Sequence, residues 1–399
     1  MMKNFGTLFG YEMKKIWKRP MTWVTVLLFC AIFVSITLRP FYSTGGTAFT
    51  SVDADGNEIS RYLTGGEQYR LRVNGARALS GQLIDETFFQ TARTTIPMKG
   101  TQFDRDCYFY LIDSGYCDFY TNFSEWLHDT AENYYISRQD GVERRWQSLE
   151  LTDEELAYWR DMEAQVEKPF VYQPVLGPRM LMNMIGSSGL GTFLPLLVGL
   201  CVCDLYAQER RTRTHGLIFS SPQGRLCLYL AKALAGAVSA VLAVFIVVGA
   251  GGLANLLSYG PWGLNGAIQL SPWLWGSSLP ITMGQGILIL LALLLAYALV
   301  CGAVTALVSA WSGSGVASLA VSVGVMILGT IMNQTEPGWR AYMPANLVDE
   351  RGLMSLQITN LFGVRLNLLQ SGLLLYLALA VVLTALCWLC WQRNAVGKR

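Results

Sequence analysis

The stretch DLYAQERRTRTHGLIFSSPQGRLCLYLAK, Asp204–Lys232, lies between two long apolar runs and decides how the chain is organised. One run, Leu181 to Cys203, ends at it, and another begins at Leu226. Between them stand Glu209, Arg210, Arg211, Arg213 and Arg225, with Lys232 just beyond. A short loop with such an excess of Lys and Arg belongs on the cytoplasmic side, because basic residues near span ends set orientation. Within it, THGLIFSSPQGR predicts an amphipathic turn of helix that presents Leu217, Ile218 and Phe219 and stops at Pro222. An apolar triplet flanked by charge on the inner face of a membrane protein is suited to docking a soluble partner.

The whole chain fits that frame. Of 399 residues, 52% are hydrophobic and only 15% charged, with mean hydropathy +0.34, which is too apolar for a soluble chain of this size. The average conceals two compartments. Residues 39–179 hold 22 acidic and 14 basic residues, whereas the remainder holds 6 and 16. An acidic, soluble-like insert therefore sits in a basic, apolar frame, and topology rather than nucleic-acid binding accounts for the basic residues.

Residues 1–38 predict an interfacial elbow helix, with Phe5, Leu8, Phe9, Met13, Ile16 and Trp17 at helical spacing, followed by an uncleaved first span, Met21 to Leu38. Residues 39–180 are expected to form a mainly helical extracytoplasmic domain on a stalk. YSTGGTAFTSVDADGNE reads there as linker, Leu79 to Thr95 and Phe119 to Arg138 as helical, and Trp126, Trp146 and Trp159 as material for a core of its own. Its clearest helix is LTDEELAYWRDMEAQVEKP, opened by a Thr152/Glu155 capping box and closed before Pro169. Residues 181–399 form the remaining membrane part, with spans expected at about 181–203, 226–249, 284–309, 314–333 and 369–391, each near the ~20 residues a bilayer requires. Glycine clusters mark expected helix contacts or, about equally, places where a loop or kink is tolerated: Gly186, Gly189 and Gly191, Gly236 with Ala240, and Gly324 with Gly329. The fold class is thus an all-α membrane protein of about six transmembrane helices, with both termini in the cytoplasm.

The spacing of Glu209, Thr214, Ser221-Pro222, Arg225 and Lys232 resembles the pattern E-x-x-x-G-T-x-x-x-L-L-x-S-P-x-x-R-x-x-x-x-x-x-K that follows the second span in type-2 ABC exporter permeases. Arg213 stands where that pattern has glycine. In that family the segment is the coupling helix, which fits a cleft on the ATPase. The resemblance implies that Glu209, Arg213, Thr214, Leu217, Ile218, Phe219, Pro222 and Arg225 couple the chain to soluble ABC ATPase subunits. It also implies assembly as a homodimer, or as a heterodimer with a paralogous permease, in the plasma membrane of a bacterium. The implied cargo is a lipophilic drug, an antimicrobial peptide or a lipid.

Catalytic chemistry is not expected in this chain. It contains no G-x-x-x-x-G-K-[ST] loop, so ATP and Mg would be bound by the partner. No Asp, Glu, Lys or Arg falls between Lys232 and Glu336, which argues against an ion-coupled carrier with a mid-membrane carboxylate. His128 and His215 stand alone, and the Asp104, Asp106, Asp113, Asp118 group does not have EF-hand spacing, so no metal is expected. Cys107 and Cys117 alone share the exterior compartment and are expected to pair, with two free thiols as the alternative. Closing a loop of about ten residues should contribute roughly 2.5–3 kcal/mol. Mass spectrometry of the alkylated, unreduced chain checks this: the bond is excluded if both thiols carry the label. The competing functional reading is a membrane sensor or immunity protein that binds a peptide through the insert. A membrane-embedded enzyme is disfavoured, because no carboxylate or histidine constellation lies at membrane depth.

Overall fold

The computed structural model describes residues 5–52, 58–95, 130–149, 151–187, 189–212, 222–331 and 338–396. These are mostly helical. The chain opens with α1 (Phe5–Trp17), turns at Arg19 and enters α2 (Pro20–Tyr42), whose proline sits in the first turn, where its missing N–H costs nothing. The corner is closed by Thr22 Oγ1 donating to the Ile16 carbonyl at 2.9 Å and by Trp23 Nε1 donating to that of Trp17 at 2.7 Å.

The insert begins with an antiparallel hairpin, β1 (Gly46–Val52) and β2 (Glu58–Thr64), where the sequence predicts a linker. The alternation in TAFTSV and EISRYL, short and rich in Thr, Ile and Val, is the strand signal hidden between the glycines. Then follow α3 (Gly65–Ala78), α4 (Glu86–Thr95), α5 (Ala131–Ser148) and α6 (Asp153–Ala164). The expected capping box is present: Thr152 Oγ1 accepts from the Glu155 amide, and the Glu155 carboxylate accepts from the Thr152 amide at 3.0 Å. α6 nevertheless ends at Ala164, a turn before Pro169. The insert's own core is Leu63, Ile84, Phe88, Phe89, Tyr134 and Phe170 with their neighbours.

Trp146 and Trp159 belong elsewhere. Both join the core of the apolar helices, and Trp159 Nε1 donates to the Leu356 carbonyl at 2.9 Å. They fasten the insert directly onto the connections of the membrane part instead of leaving it on a stalk. Trp126 lies outside the described residues. The second fastener is Arg138, fully buried, whose Nε donates to the Trp275 carbonyl at 3.0 Å and Nη2 to that of Ser277 at 2.9 Å. Its guanidinium is also paired with Glu163, which Lys168 meets at 2.9 Å. Burial alone would raise the Glu163 pKa, but hydrogen bonding and charge from Arg138, then Lys168, outweigh it, and the net shift is downward. Arg138→Met is expected to cost about 3 kcal/mol, the low end for a broken buried pair because Lys168 remains. A carboxyl with a lower pKa folded than unfolded stabilises the fold above its unfolded value and loses that contribution as it protonates. Docking of the insert should therefore weaken as pH falls below about 4.5, the ordinary value. Limited proteolysis of the insert against pH, in the wild type and Arg138→Met, measures both effects.

The apolar helices follow as α7 (Leu176–Ile185), α8 (Leu190–Val202), α9 (Ala207–Arg211), α10 (Pro222–Tyr259), α11 (Met283–Ser312), α12 (Gly315–Ile331) and α13 (Leu368–Val396). Five stretches among the described residues are long and apolar enough to cross a membrane: 20–42, 190–209, 225–259, 283–312 and 368–393. The expected span 314–333 is the 17-residue helix α12, shorter than that measure. α10 is the opposite case, since its 38 residues extend about 57 Å, well beyond a ~30 Å hydrocarbon layer.

The expected single span 181–203 is broken. Between α7 and α8 the Ser187 amide donates to Asp349 Oδ2 at 3.1 Å, and its hydroxyl donates to the same oxygen. A Cβ on Gly189 would lie 2.1 Å from the Met184 carbonyl oxygen, so glycine is required where the helix is interrupted there. Gly186, Gly189 and Gly191 thus make a break, not a helix contact. Gly236 does make a contact, since a Cβ there would lie 2.9 Å from Leu205 Cδ2, whereas nothing lies within 4 Å of one on Gly324 or Gly329. α11 and α12 are joined through Thr305 Oγ1 and Ser322 Oγ at 3.0 Å, beneath Gly199 of α8. At the end of the bundle away from α1, the connections carry short helical turns at Pro344–Leu347 and Glu350–Met354 and a hairpin, β3 (Ile358–Leu361) and β4 (Val364–Asn367).

Candidate functional site

Segment 204–211, which leads into the loop after α8, is bound to elements from four parts of the chain. Its centre is Lys232, fully buried on α10. The Lys232 Nζ lies 2.8 Å from Glu209 Oε1 on α9, 3.0 Å from Glu12 Oε2 on α1 and 3.0 Å from the Leu205 carbonyl oxygen. Glu12 and Glu209 are themselves 3% and 5% exposed. Lys15 reaches Glu12 Oε1 at 2.7 Å, so two cations and two carboxylates balance. Every donor position of the ammonium is filled, which is the condition for keeping a lysine out of water.

Around this centre the backbone is fixed as well. Ser309 Oγ, from the end of α11, accepts from the amides of Tyr206 at 3.3 Å and Ala207 at 3.1 Å. Asp204 packs so closely on the α11–α12 turn that a Cβ on Gly315 would lie 2.1 Å from its Oδ1. Arg19, at the α1–α2 corner, donates to Gln208 Oε1 at 2.6 Å and stands 3.8 Å from Asp204. The Tyr206 ring lies 6.0 Å from that of Tyr229 and meets Trp391 of α13 edge-on at 5.1 Å. Trp17 Nε1 donates to Ser239 Oγ of α10 at 3.2 Å.

Of the residues singled out from sequence, Glu209 is in this junction. Pro222 is the first residue of α10, so it opens the next helix where the sequence predicts it to stop a turn; proline is favoured at that position. Arg225 is half-buried in the same first turns. Arg213, Thr214, Leu217, Ile218 and Phe219 lie outside the described residues, as do Cys107 and Cys117. Glu12 is the residue that sequence reasoning missed. Its signal was available: it is the sole acidic residue before Asp53, set among lysines in a helix read as purely interfacial.

Through Lys232 the arrangement ties segment 204–211 to α1 and α10 by buried ion pairs. The model of the ABC-2 family transporter proteins matches residues 7–394, nearly the whole chain. No curated protein and no solved structure is detectably similar to it.

Proposed function

Since the chain belongs to the ABC-2 family of transporter proteins and is a membrane permease of that class, we propose that it forms the translocation path of an exporter driven by separate ATPase subunits. The observation that carries this reading is the buried Glu12–Lys232–Glu209 junction, which ties the root of loop 212–221 to helices that face the bilayer. The partners are soluble ABC ATPases, gripping Leu217, Ile218 and Phe219, and a second permease, identical or paralogous. The cargo is a lipophilic drug, an antimicrobial peptide or a lipid. Purification with the cognate ATPase tests it: one ATPase per permease and hydrolysis dependent on the permease are expected, and an ATPase that never co-purifies under any nucleotide condition overturns the reading.

Both ends of the chain and loop 212–221 face the cytoplasm, and the insert faces outward, in the plasma membrane of a bacterium. Exposed tryptophans support the placing of two interfaces: Trp23 and Trp311 near the α1 end, Trp273 and Trp339 near the other. A cysteine introduced at Ser51 should react with an impermeant maleimide on intact cells, and one at Thr212 should not. The reverse pattern inverts the topology. Pairing of Cys107 with Cys117 belongs to the same outward placement.

A further inference from the structure

At the end of the bundle remote from the junction, the fold forms an open-sided cavity of about 1030 Å³. One wall is apolar: Phe33 and Ile36 of α2 and Met184 of α7. Ile36 is 58% exposed on a helix long and apolar enough to cross a membrane, so this wall opens onto an apolar face of the chain. The opposite side is polar, with Arg145 of α5, Arg179 of α7 and Asp349 and Glu350 from the connection before β3. The volume is at the upper end of the ~300–1,000 Å³ of small-molecule sites.

Some of these charges are already engaged. Asp349 accepts from Ser187 and from the Arg351 amide at 3.2 Å, and Arg145 Nη2 donates to the Met354 carbonyl at 2.6 Å. Two keep unfilled valences: Glu350 Oε1 and Arg179 Nε are buried with no hydrogen-bond partner among the described residues. The Arg179 guanidinium instead lies over the Trp273 ring, 5.7 Å from its centroid. Burial pushes the Glu350 carboxyl up to about 7, with the Arg179 charge opposing and that of Asp349 adding to the rise. Arg179 thus offsets only part of the cost of ionising Glu350, and a further positive charge beside that carboxyl is favourable.

We propose that this cavity binds a zwitterionic amphiphile of the phospholipid kind, with its chains against Phe33, Ile36 and Met184, its ammonium at Glu350 and its phosphate at Arg179. An anionic amphiphile leaves Glu350 without a partner, and a cationic one places an unmatched charge beside Arg179, so each is disfavoured against a molecule carrying both. The cavity is filled from the outer leaflet; that sidedness rests on the topology proposed above, whereas the recognition chemistry does not.

Native mass spectrometry of the full-length protein in detergent tests the proposal with three lipids of identical chains: phosphatidylethanolamine, phosphatidylglycerol and diacylglycerol. Chain-free glycerophosphoethanolamine is the fourth probe. The ethanolamine lipid is expected to bind at least tenfold more tightly than each of the other three. Glu350→Gln and Arg179→Gln should each abolish that preference, and Ala341→Trp, which fills the space, should weaken all three lipids together. Equal affinity for the three lipids, a preference for the anionic one, equal binding of the chain-free head, or a preference that survives both charge variants would each overturn the site. If the preference holds while cysteine labelling inverts the topology, the site stands and only its leaflet changes.

Discussion

Lys232→Met is expected to destabilise the protein by roughly 3–5 kcal/mol, because it leaves two buried carboxylates facing each other without the cation that holds them. Lys15 meets Glu12 but is partly exposed and lies on the far oxygen, so it cannot replace a group that touches Glu12, Glu209 and the Leu205 carbonyl at once. The effect should be non-additive. Glu12→Leu and Glu209→Leu combined with Lys232→Met replace the buried charges by apolar side chains, leave only the partly exposed Lys15, and should recover most of the loss, since an apolar replacement of a buried ionic cluster is often near neutral. Unfolding by SDS titration in mild detergent measures both variants. A single-variant loss below about 1 kcal/mol, the value of an exposed pair, would mean that the junction is wet and not a coupling element.

Phe219→Asp should have the largest functional effect. Burying Phe219 and Leu217 in a partner contributes roughly 1.5–3 kcal/mol each before the costs of association. A carboxylate in their place forfeits that gain and adds a desolvation cost, so affinity for the ATPase should fall at least tenfold, about 1.4 kcal/mol. Membrane insertion should be unchanged, because position 219 lies in the basic stretch between the two apolar runs of the sequence. Arg225→Ala provides the contrast: it sits in the first turns of α10 and should lower expression rather than coupling. Proteoliposomes containing the cognate ATPase give the decisive reading. Wild-type assembly and coupled hydrolysis in Phe219→Asp would show that this loop is not where ATP-driven movement enters.

What was legible in the sequence was whatever depends on neighbours along the chain. Apolar runs of 20 or more residues identified most of the crossing helices, and the Thr152/Glu155 capping box placed the start of α6 to the residue. At Gly186, Gly189 and Gly191 the sequence was equally open to a contact or a kink, because Asp349, which holds the break, lies more than 160 positions away and the run 181–203 is otherwise apolar. For the same reason α1 read as a helix lying in the interface. Glu12 stood out as a lone carboxylate among lysines, but the partner that explains its burial, Lys232, lies 220 positions away. Trp146 and Trp159 were correctly expected to be buried, but which core receives them depends on residues 354–356.

The break between α7 and α8 also limits what a push on segment 204–211 can do. The apolar stretch that begins with α8, Leu190 to Glu209, reaches only as far as that break. Its far end is pinned at Ser187 by Asp349, whose own turn is packed among the connections that hold the insert. A push on the loop would then turn α8 about that pinned point, as a lever and not as a piston. α10, unbroken from Pro222 to Tyr259, would carry the same push as translation along its length. One input at a single root would become two dissimilar motions, so that the space between those helices would change shape and not merely position.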